Sequence, residues 1–312
     1  MGLTLVTGAS GFVGSHLMQE MTRRGLPVRG VTRGAAPGLI TVPWHGPEMD
    51  WSNWLRDVDT VVHLAARVHV MRETASDPLS LFRETNVTAT VNLARQAAAA
   101  GVRRFVFVSS IKVNGERTEP GKPFSADDPP NPRDPYGISK AEAESGLMAL
   151  GRETGMEITI VRPPLVYGPG VTGNFRSLMK WAASGMPSIF TKVPNKRSLV
   201  YVGNLCDLLL TVLDHPNAAN RIFLVSDGRA LSTHELLTNL TVAFGRKPNW
   251  LPIPPATIKA LALLAGKRAM ANRLLENLEI NMEQSVTALA WAAPFNCLVA
   301  LRLTAQLNGK PE

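Results

Sequence analysis

Three residues of this chain have the types and spacing needed to move a proton to or from an oxygen atom: Ser110, Tyr136 and Lys140. Tyr136 and Lys140 lie four positions apart at the start of a predicted helix, so their side chains project from one face. An ammonium beside a phenol favours the phenolate, which could exchange a proton with a substrate hydroxyl or carbonyl. Ser110, which follows a predicted strand, would hydrogen-bond the same oxygen and polarise it. The alternative is an exposed helical pair without a function.

A glycine-rich loop lies between the first predicted strand and the first predicted helix. Its glycines allow a tight turn, a close backbone approach to a pyrophosphate and close packing of helix on sheet. The helix N-terminus adds unpaired N–H groups and the positive end of its dipole. The loop therefore predicts a dinucleotide site with contacts from Gly8, Gly11, Phe12, Val13 and Gly14. Lys140 would then also orient the nicotinamide ribose. The alternative is a glycine turn that serves packing alone.

The end of the second predicted strand bears on which dinucleotide is bound. An acidic residue there would bind the 2′-hydroxyl of NAD, but the strand ends in Val31-Thr32-Arg33. Thr32 carries no negative charge, and Arg33 offers a guanidinium to a 2′-phosphate. The pair favours NADP(H), while NAD(H) stays possible if Arg33 is solvated or stacks on adenine.

Short apolar segments alternate with helical patterns in the first half of the chain. This order predicts an α/β fold, a Rossmann doubly wound parallel sheet over residues 1–166, to which a strand near 198–204 returns. A smaller, mainly helical substrate-binding region is expected over 167–312. The predicted strands are Leu3–Val6, Val28–Thr32, Val58–Ala65, Arg104–Ser109, Ile158–Val161 and Ile222–Ser226. The predicted helices are Ser15–Arg24, Leu79–Ala100, Tyr136–Glu153, Asn174–Ser184, Val202–Leu213 and Ser232–Phe244, the last with a capping box of Ser232 and Glu235.

Composition limits the class of protein. Of 312 residues, 45% are hydrophobic and 19% charged, which is typical of a globular chain. The net charge of +8 comes from scattered Lys and Arg residues, which suits an anionic small substrate better than nucleic acid. No apolar run reaches the ~20 residues of a membrane helix, so no membrane partner is expected. Met1–Val6 leads directly into the glycine turn, which predicts no signal peptide, and the unpaired spacing of Cys206 and Cys297 favours a reduced, cytoplasmic protein without a metal site.

Five motifs resemble those of a known family. They are TGASGFVG (Thr7–Gly14), VVHLAA (Val61–Ala66), SSIKVNG (Ser109–Gly115), YGISK (Tyr136–Lys140) and RPPLVYGPG (Arg162–Gly170). Together they resemble the extended short-chain dehydrogenases/reductases of the NAD-dependent epimerase/dehydratase group, which act on nucleotide sugars. The resemblance spans roughly residues 2 to 294.

The resemblance implies roles for named residues. It gives Ser110, Tyr136 and Lys140 as the catalytic set. It implies cofactor contacts for Leu64, Ala65, Ala66, Asn86, Pro163 and Val166. It implies substrate contacts for Ser110, Lys112, Tyr136, Asn174, Phe175, Arg197 and Arg268, with Arg197 clamping a diphosphate. A homodimer formed through the helix that begins near Tyr136 is also expected from the family.

The resemblance also implies a reaction at C4 of a UDP-sugar. The strings HLAARVHVM, SSIKVNGE and RPPLVYGPGV are similar to a bacterial branch of surface-polysaccharide enzymes. They favour NADPH-dependent reduction of a UDP-4-keto-6-deoxy-N-acetylhexosamine. The alternative is 4-epimerisation of UDP-glucose or UDP-GlcNAc, since the same three residues serve both reactions. A more remote alternative is a non-catalytic NADP(H)-binding regulator.

Three departures from the family pattern stand out. Ile111 and Lys112 occupy the places of the Asp-Glu pair with which the dehydratases of this group expel water, so 4,6-dehydration is not expected. Pro43-Trp44 replaces the usual Gly-Asp, so adenine would pack on Trp44. Asn204 replaces an Asp, and the chain from about Ala288 fits the pattern poorly.

Other residues with reactive or aromatic side chains are expected to be structural. His63 lacks the convergent ligands that a metal site needs and should be a packed strand residue. Glu142 and Glu144 should be surface charges, and Trp51 and Trp54 should pack at the core or its edge.

Overall fold

The structure, a computed structural model, describes residues 2–43, 46–68, 77–266 and 268–308. Its strands are β1 (Leu3–Thr7), β2 (Val28–Thr32), β3 (Ile40–Thr41), β4 (Val58–His63), β5 (Arg104–Val108), β6 (Glu157–Arg162), β7 (Leu165–Tyr167), β8 (Leu199–Tyr201) and β9 (Arg221–Leu224). Its helices are α1 (Phe12–Arg23), α2 (Ser52–Leu55), α3 (Pro78–Arg83), α4 (Ala89–Ala99), α5 (Pro135–Thr154), α6 (Gly173–Ser184), α7 (Val202–Asp214), α8 (Thr233–Ala243), α9 (Pro255–Leu264), α10 (Arg268–Leu275), α11 (Glu283–Leu289) and α12 (Cys297–Asn308).

Seven parallel strands form one sheet in the order β3-β2-β1-β4-β5-β6-β9. The strand order reverses at β1, and the crevice outside the carboxyl ends of β1 and β4 is where doubly wound sheets bind ligands. The expected Rossmann α/β fold with a mainly helical C-terminal region is confirmed.

Alternate residues of each strand face opposite layers of helices. Val6 and Val106 lie in the apolar cluster that contains side chains of α1 and α7. Their neighbours Leu5 and Phe105 lie in the cluster that contains side chains of α4 and α5. Burial on both faces is the reason why these strands read as continuous apolar segments in the sequence.

The strand that returns to the main sheet is not the one expected. The segment near 198–204 forms β8, which pairs with β7 in a separate two-stranded parallel sheet. The seventh strand of the main sheet is β9, which pairs with β6 from Thr159↔Arg221 onward. Pro163 and Pro164 end β6 because proline has no amide hydrogen for a ladder bond. The chain therefore leaves the sheet at residue 163 and re-enters it with β9. The division of the chain into two regions at residue 166 stays a prediction.

The helix expected from Leu79 to Ala100 is interrupted. A π-helical turn, Glu84–Thr88, separates α3 from α4. Such turns insert one extra residue into a helix and are frequent at functional sites.

At α8 the predicted capping box is confirmed. Ser232 accepts a hydrogen bond from the Glu235 amide at 3.0 Å, and the Glu235 carboxylate accepts one from the Ser232 amide at 2.8 Å.

Cys206 and Cys297 are both buried and unpaired. Within the described ranges, no helix has the length and apolar character required to cross a bilayer.

Gly14 is the most sterically constrained position of the glycine loop. A Cβ there would lie 2.2 Å from the Gly8 carbonyl oxygen and 2.8 Å from the Ala9 Cα. Gly14→Ala should therefore lower the free energy of unfolding by about 2 kcal/mol or more, as overpacked core positions do. Urea denaturation followed by circular dichroism would measure the loss.

Gly34→Ala is the matched control for this prediction. A Cβ at Gly34 would meet nothing within 4 Å, so its stability should stay within about 0.5 kcal/mol of the parent chain. Equal stability of Gly14→Ala and Gly34→Ala would contradict the packing described for α1.

Candidate active site

The carboxyl end of β5 and the first turns of α5 bring Ser110, Tyr136 and Lys140 together. Ser110 caps a short 3₁₀ turn, Ile111–Val113, directly after the β5 strand. Asp134 caps α5 by accepting a hydrogen bond from the Gly137 amide at 2.7 Å, and proline stands at the first helical position. This start suits a helix because proline needs no hydrogen-bond acceptor there. The local sequence thus fixes where Tyr136 and Lys140 emerge.

Lys140 is buried beneath this site. Its Nζ donates a hydrogen bond to the Val108 carbonyl at 2.9 Å and lies 4.3 Å from the centre of the Phe107 ring. Burial lowers the pKa of Lys140 from 10.5 to about 7, against the opposing charge of Glu144. The ammonium form at neutral pH is therefore held at a cost in stability.

Tyr136 has an environment that favours the neutral phenol. Burial raises its pKa to about 12, and the Asp134 carboxylate acts in the same direction, while a hydrogen bond with Ser110 opposes them. The Lys140 Nζ lies 6.0 Å from the Tyr136 ring centre. The sequence argument, in which the ammonium favoured the phenolate, left out this desolvation. Tyr136 is accordingly protonated at neutral pH in this environment, and Ser110 is the partner that favours its ionisation.

Asn86 connects the loop after β4 to α5. It is buried in the π-helical turn, where its Oδ1 accepts from the Arg67 amide at 2.8 Å. Its Nδ2 donates to the Arg67 carbonyl at 3.0 Å and to Ser139 Oγ at 3.0 Å. Ser139 donates in turn to the Tyr136 carbonyl at 2.8 Å. Asn86 was expected beneath a cofactor, and its bonds show that it also fixes Arg67, the residue after Leu64–Ala66, relative to the first turn of α5.

The glycine loop fits the pyrophosphate of a dinucleotide. Gly8 has φ of +68°, and a Cβ there would lie 2.7 Å from the Ala65 amide nitrogen. Gly11 is the N-cap of α1 and provides no side-chain cap, which leaves the helix N-terminus to an anion. Phe12 and Val13 follow as its first helical residues. The glycine loop therefore packs closely against the loop that follows β4, at the carboxyl edge of the sheet.

At the end of β2, Thr32 and Arg33 differ in exposure. Thr32 is buried and its Oγ1 shares a hydrogen bond with Ser10 Oγ at 2.7 Å. Arg33 is exposed. This arrangement leaves no carboxylate at the strand end, but it does not select between NADP(H) and NAD(H). Trp44, the expected adenine contact, lies outside the described residues.

Pro163 joins the end of β6 to the turn that carries Ser110. Its carbonyl accepts a hydrogen bond from the Ile111 amide at 2.9 Å, and its side chain is buried. Val166, half-buried in β7, follows three residues later. Their roles next to a nicotinamide stay predictions.

The Lys112 ammonium is paired with two carboxylates in this structure. Its ammonium pairs with Asp134 and, at 3.3 Å, with Glu116. It thereby links the Ser110 turn to the N-terminus of α5. The expected substrate contact of Lys112 would require it to leave these partners, because an ammonium engaged by two carboxylates has less charge to offer a third group.

Glu144 is not the surface charge that was expected. Its carboxylate is buried and forms a two-pronged ion pair with Arg162, at 2.9 and 2.6 Å. Ser109 Oγ donates to the same carboxylate at 2.5 Å, and Arg162 also donates to Asn114 Oδ1 at 2.9 Å. The sequence interpretation was wrong because nothing in the local sequence distinguishes Glu144 from Glu142. The difference arises from Arg162 of β6, which is distant in sequence and pairs with Glu144.

His63 and the two tryptophans were expected to be structural. His63 is buried in β4 between Thr7 Oγ1 at 2.7 Å and Thr90 Oγ1 at 3.0 Å, and burial lowers its pKa to about 3. Its packed role is confirmed. Trp51 is buried and meets Trp54 edge to face. Among the residues that the structure describes, no group of three or more His, Cys, Asp or Glu side chains could hold a metal ion.

Arg197 contacts the segment that directly follows α10. It is half-buried, and one of its terminal nitrogens donates to the Glu276 carbonyl at 3.0 Å. Burial lowers its pKa to about 10, and Arg273 also lowers it against the opposing charge of Glu276. The sequence analysis did not name Arg273, and the substrate role that it expected for Arg268 stays a prediction. Arg268 is exposed at the start of α10.

Phe175 is unsuited to the substrate contact expected of it. Its ring is fully buried and stacks on Tyr167 with 5.0 Å between ring centres. The amphipathic pattern of α6 turns Phe175 into the core and leaves its neighbour Asn174 exposed at the helix start. Of this pair, only Asn174 is accessible to a ligand.

Asn204 lies where the resemblance predicts an Asp, and its contacts use both the donor and the acceptor of its amide group. Its Nδ2 donates to Asp227 at 2.8 Å and to the Phe295 carbonyl at 2.8 Å, and its Oδ1 accepts from the Phe295 amide at 2.9 Å. Asp227 is buried and also accepts from the Tyr167 hydroxyl at 2.6 Å. A second carboxylate at position 204 would face Asp227 without a donor, which is costly in a buried site.

Comparisons with known proteins agree with this geometry. A family model described as the NAD dependent epimerase/dehydratase family matches residues 4–226. A UDP-glucose 4-epimerase of Vibrio cholerae is 44% identical over 309 residues, which cover 97% of this chain and 94% of that protein. A UDP-glucose 4-epimerase of Mycolicibacterium smegmatis is 31% identical over 265 residues, covering 78% and 82%. The structure of UDP-N-acetylglucosamine 4-epimerase from Bacillus cereus is 22% identical, with a TM-score of 0.80 and coverage of 99% and 100%, and shows the shared fold.

Glu144 and Glu142 form a matched pair for testing the buried ion pair. Glu144→Gln leaves Arg162 buried without its counter-charge and should cost about 3 kcal/mol or more of unfolding free energy. Glu142→Gln removes a carboxylate that is 35% exposed and paired with Arg83, and should cost less than about 1 kcal/mol. Chemical denaturation of both variants would check the difference. Similar losses in the two variants would contradict the buried role of Glu144.

Replacing Lys140 should remove the stability cost of burying its ammonium group. Between a folded pKa of about 7 and an unfolded value of 10.5, the unfolded chain binds one more proton, so stability rises with pH across this window. Lys140→Met removes the buried ammonium and should raise unfolding free energy by roughly 1–3 kcal/mol at pH 7, with a smaller gain near pH 10. Thermal unfolding at the two pH values measures this change. The exposed Lys180→Met variant is the control and should show no pH-dependent gain. A lower melting temperature of Lys140→Met at pH 7 would refute the desolvation argument.

Proposed function

The chain belongs to the NAD dependent epimerase/dehydratase family, and we propose that it is a 4-epimerase of a UDP-sugar. The observation that carries the proposal is the 44% identity to a UDP-glucose 4-epimerase over 97% of this chain. The enzyme class follows from the family. The substrate and the reaction are the proposed part.

This proposal replaces the reaction favoured by the sequence strings. They favoured reduction of a UDP-4-keto-6-deoxy-N-acetylhexosamine, with 4-epimerisation as the alternative. The near full-length relative is named for the epimerase reaction, which favours the alternative. A dehydratase is disfavoured because Ile111 is buried and Lys112 is paired with Asp134 where the dehydratases carry an Asp-Glu pair.

The geometry supports oxidation and reduction at one carbon. A nicotinamide dinucleotide, when bound, supplies the acceptor and donor of the hydride. Tyr136 has to be in its phenolate form to act as the base; its hydrogen bond with Ser110 favours that form, and the positive charge of an oxidised nicotinamide, when bound, would favour it further. The phenolate then takes the proton of the C4 hydroxyl as the hydride leaves C4, and the phenol returns that proton to the C4 oxygen after the ketone has turned over. Ser110 donates a hydrogen bond to that oxygen and holds it near the phenol. Lys140, anchored on the Val108 carbonyl, places a positive charge beneath Tyr136 as the phenolate forms.

For the cofactor, the family requires a nicotinamide dinucleotide, and we propose NAD. The candidate contacts are Gly8, Gly11, Phe12, Val13, Gly14, Leu64, Ala65, Ala66 and Asn86. NADP(H), which the sequence analysis favoured from Thr32 and Arg33, is the alternative to this proposal. The diphosphate of the substrate would lie near Arg197, whose pKa is lowered by burial and by the charge of Arg273, so that an anion there would stabilise the guanidinium. The homodimer and the cytoplasmic location also stay predictions.

Tyr136→Phe tests the proposed role directly. Loss of the acid/base group should lower the rate of UDP-glucose to UDP-galactose interconversion by about 10²- to 10⁴-fold, while NAD binding persists. Tyr201→Phe removes a hydroxyl from a buried tyrosine outside the proposed site and should retain activity. Interconversion followed by chromatography measures turnover, and near-normal turnover of Tyr136→Phe would reject the assignment.

The same assay separates the two reactions. A 4-epimerase interconverts the two UDP-hexoses with no net change in nicotinamide absorbance. Net oxidation of NADPH by a UDP-4-keto-6-deoxy-N-acetylhexosamine, without interconversion, would instead establish the reductase. Tight cofactor binding without turnover of any UDP-sugar would favour the non-catalytic regulator.

A further inference from the structure

One stretch of the chain combines positive charge with exposed apolar side chains. Residues 236–275 contain no Asp or Glu, although the chain has 25 acidic residues in 312. The same 40 residues contain six bases: Arg246, Lys247, Lys259, Lys267, Arg268 and Arg273. Most of the net charge of +8 therefore belongs to one segment, which the scattered appearance of the bases had hidden.

The exposed apolar residues concentrate in the same segment. Of the fourteen large apolar side chains exposed in the described part of the chain, seven lie there. They are Val242, Trp250, Leu251, Leu261, Leu263, Leu264 and Met270. Scattered exposed apolar residues are ordinary, but a concentration of this kind marks an interaction surface.

Helix α9 has the most exposed apolar side chains of this segment. Of its ten residues only Ile258 is buried, while Leu261, Leu263 and Leu264 are 58%, 60% and 85% exposed. Lys259 is exposed on the same helix, and Arg268 and Arg273 are exposed on α10, which packs against α9. We call the exposed side chains of these two helices the α9–α10 surface.

We propose that the α9–α10 surface binds peripherally to a membrane that contains anionic phospholipids. Leucine and methionine side chains partition into the boundary between headgroups and acyl chains, and neighbouring lysines and arginines attract anionic headgroups. No transmembrane segment is needed. The expectation of no membrane partner rested only on the missing spanning helix, and this surface revises it.

Charge favours a lipid surface over a second copy of the chain. A twofold interface would place each acid-free surface against its own copy, and the like charges would repel. A nucleic acid would satisfy the bases but would leave the leucine side chains without an apolar partner. An anionic bilayer satisfies both parts of the surface at once.

The position of the surface gives the interaction a consequence for the site. Arg273, at the exposed side of α10, acts on the pKa of Arg197, and the Glu276 carbonyl that follows α10 accepts the Arg197 hydrogen bond. The membrane-facing helices therefore adjoin the arginine expected to hold a diphosphate. Lipid binding would place that side of the enzyme toward the membrane, whether or not the proposed reaction is correct.

Vesicle sedimentation of the full chain tests the proposal. We expect binding to vesicles of phosphatidylcholine with about 30% phosphatidylglycerol and at least about tenfold weaker binding to pure phosphatidylcholine. Raising the salt concentration to about 0.5 M should weaken binding because it screens the headgroup charges. Absence of binding to the anionic vesicles, or equal binding to both kinds, would overturn the proposal.

Matched variants assign the binding to the surface. Leu263→Gln/Leu264→Gln should lower the partition coefficient by about tenfold or more, and Lys259→Glu should lower it for anionic vesicles. Leu298→Gln/Val299→Gln changes two apolar residues of α12 that are 50% and 41% exposed, and should leave binding unchanged. Circular dichroism confirms that each variant folds. If the α9 variant binds vesicles normally, or if it only converts a dimer to a monomer in lipid-free light scattering, the proposal is wrong.

Discussion

The buried ion pair between Glu144 and Arg162 holds together the elements that carry the proposed chemistry. Glu144 lies one helical turn beyond Lys140 on α5, and Arg162 ends β6. Through Ser109 and Asn114 the same network reaches the end of β5 and the turn after Ser110. Removing either charge would leave the other buried without a partner, which is the costly state for such pairs. Three separate elements are thus fixed at one sheet edge by a single polar network.

Desolvation sets the acid–base properties of the site built on that network. Burial moves the pKa values of Lys140 and Tyr136 in opposite directions, since each charged form loses contact with water. The lysine is thereby brought into the neutral range and the tyrosine is kept protonated. Such perturbed pKa values are typical of functional sites, and the buried Lys140 ammonium is the group that costs stability here.

The second half of the molecule shows how a substitution can be compensated. One buried hydrogen-bonded group consists of Asp227, the Tyr167 hydroxyl and Asn204. Asn204 also bonds the backbone of Phe295, in the segment that leads into α12. The amide at position 204 supplies the donor that a carboxylate could not. This group links the small β7–β8 sheet to the C-terminal segment, the part of the chain that departs most from the family pattern.

Local patterns in the sequence were enough to predict the parallel α/β fold, the glycine loop and the likeness of Ser110, Tyr136 and Lys140 to a catalytic set. These features are local, because they depend on spacing within a strand, a turn or a helix. Which charges are buried depends on contacts in the folded chain: Glu144 is buried against Arg162, whereas Glu142, two residues earlier, is 35% exposed and paired with Arg83. Such contacts also determine that β9, rather than the segment near β8, completes the sheet, and that Phe175 belongs to the core. Burial and strand pairing depend on contacts between distant segments, which no local pattern records.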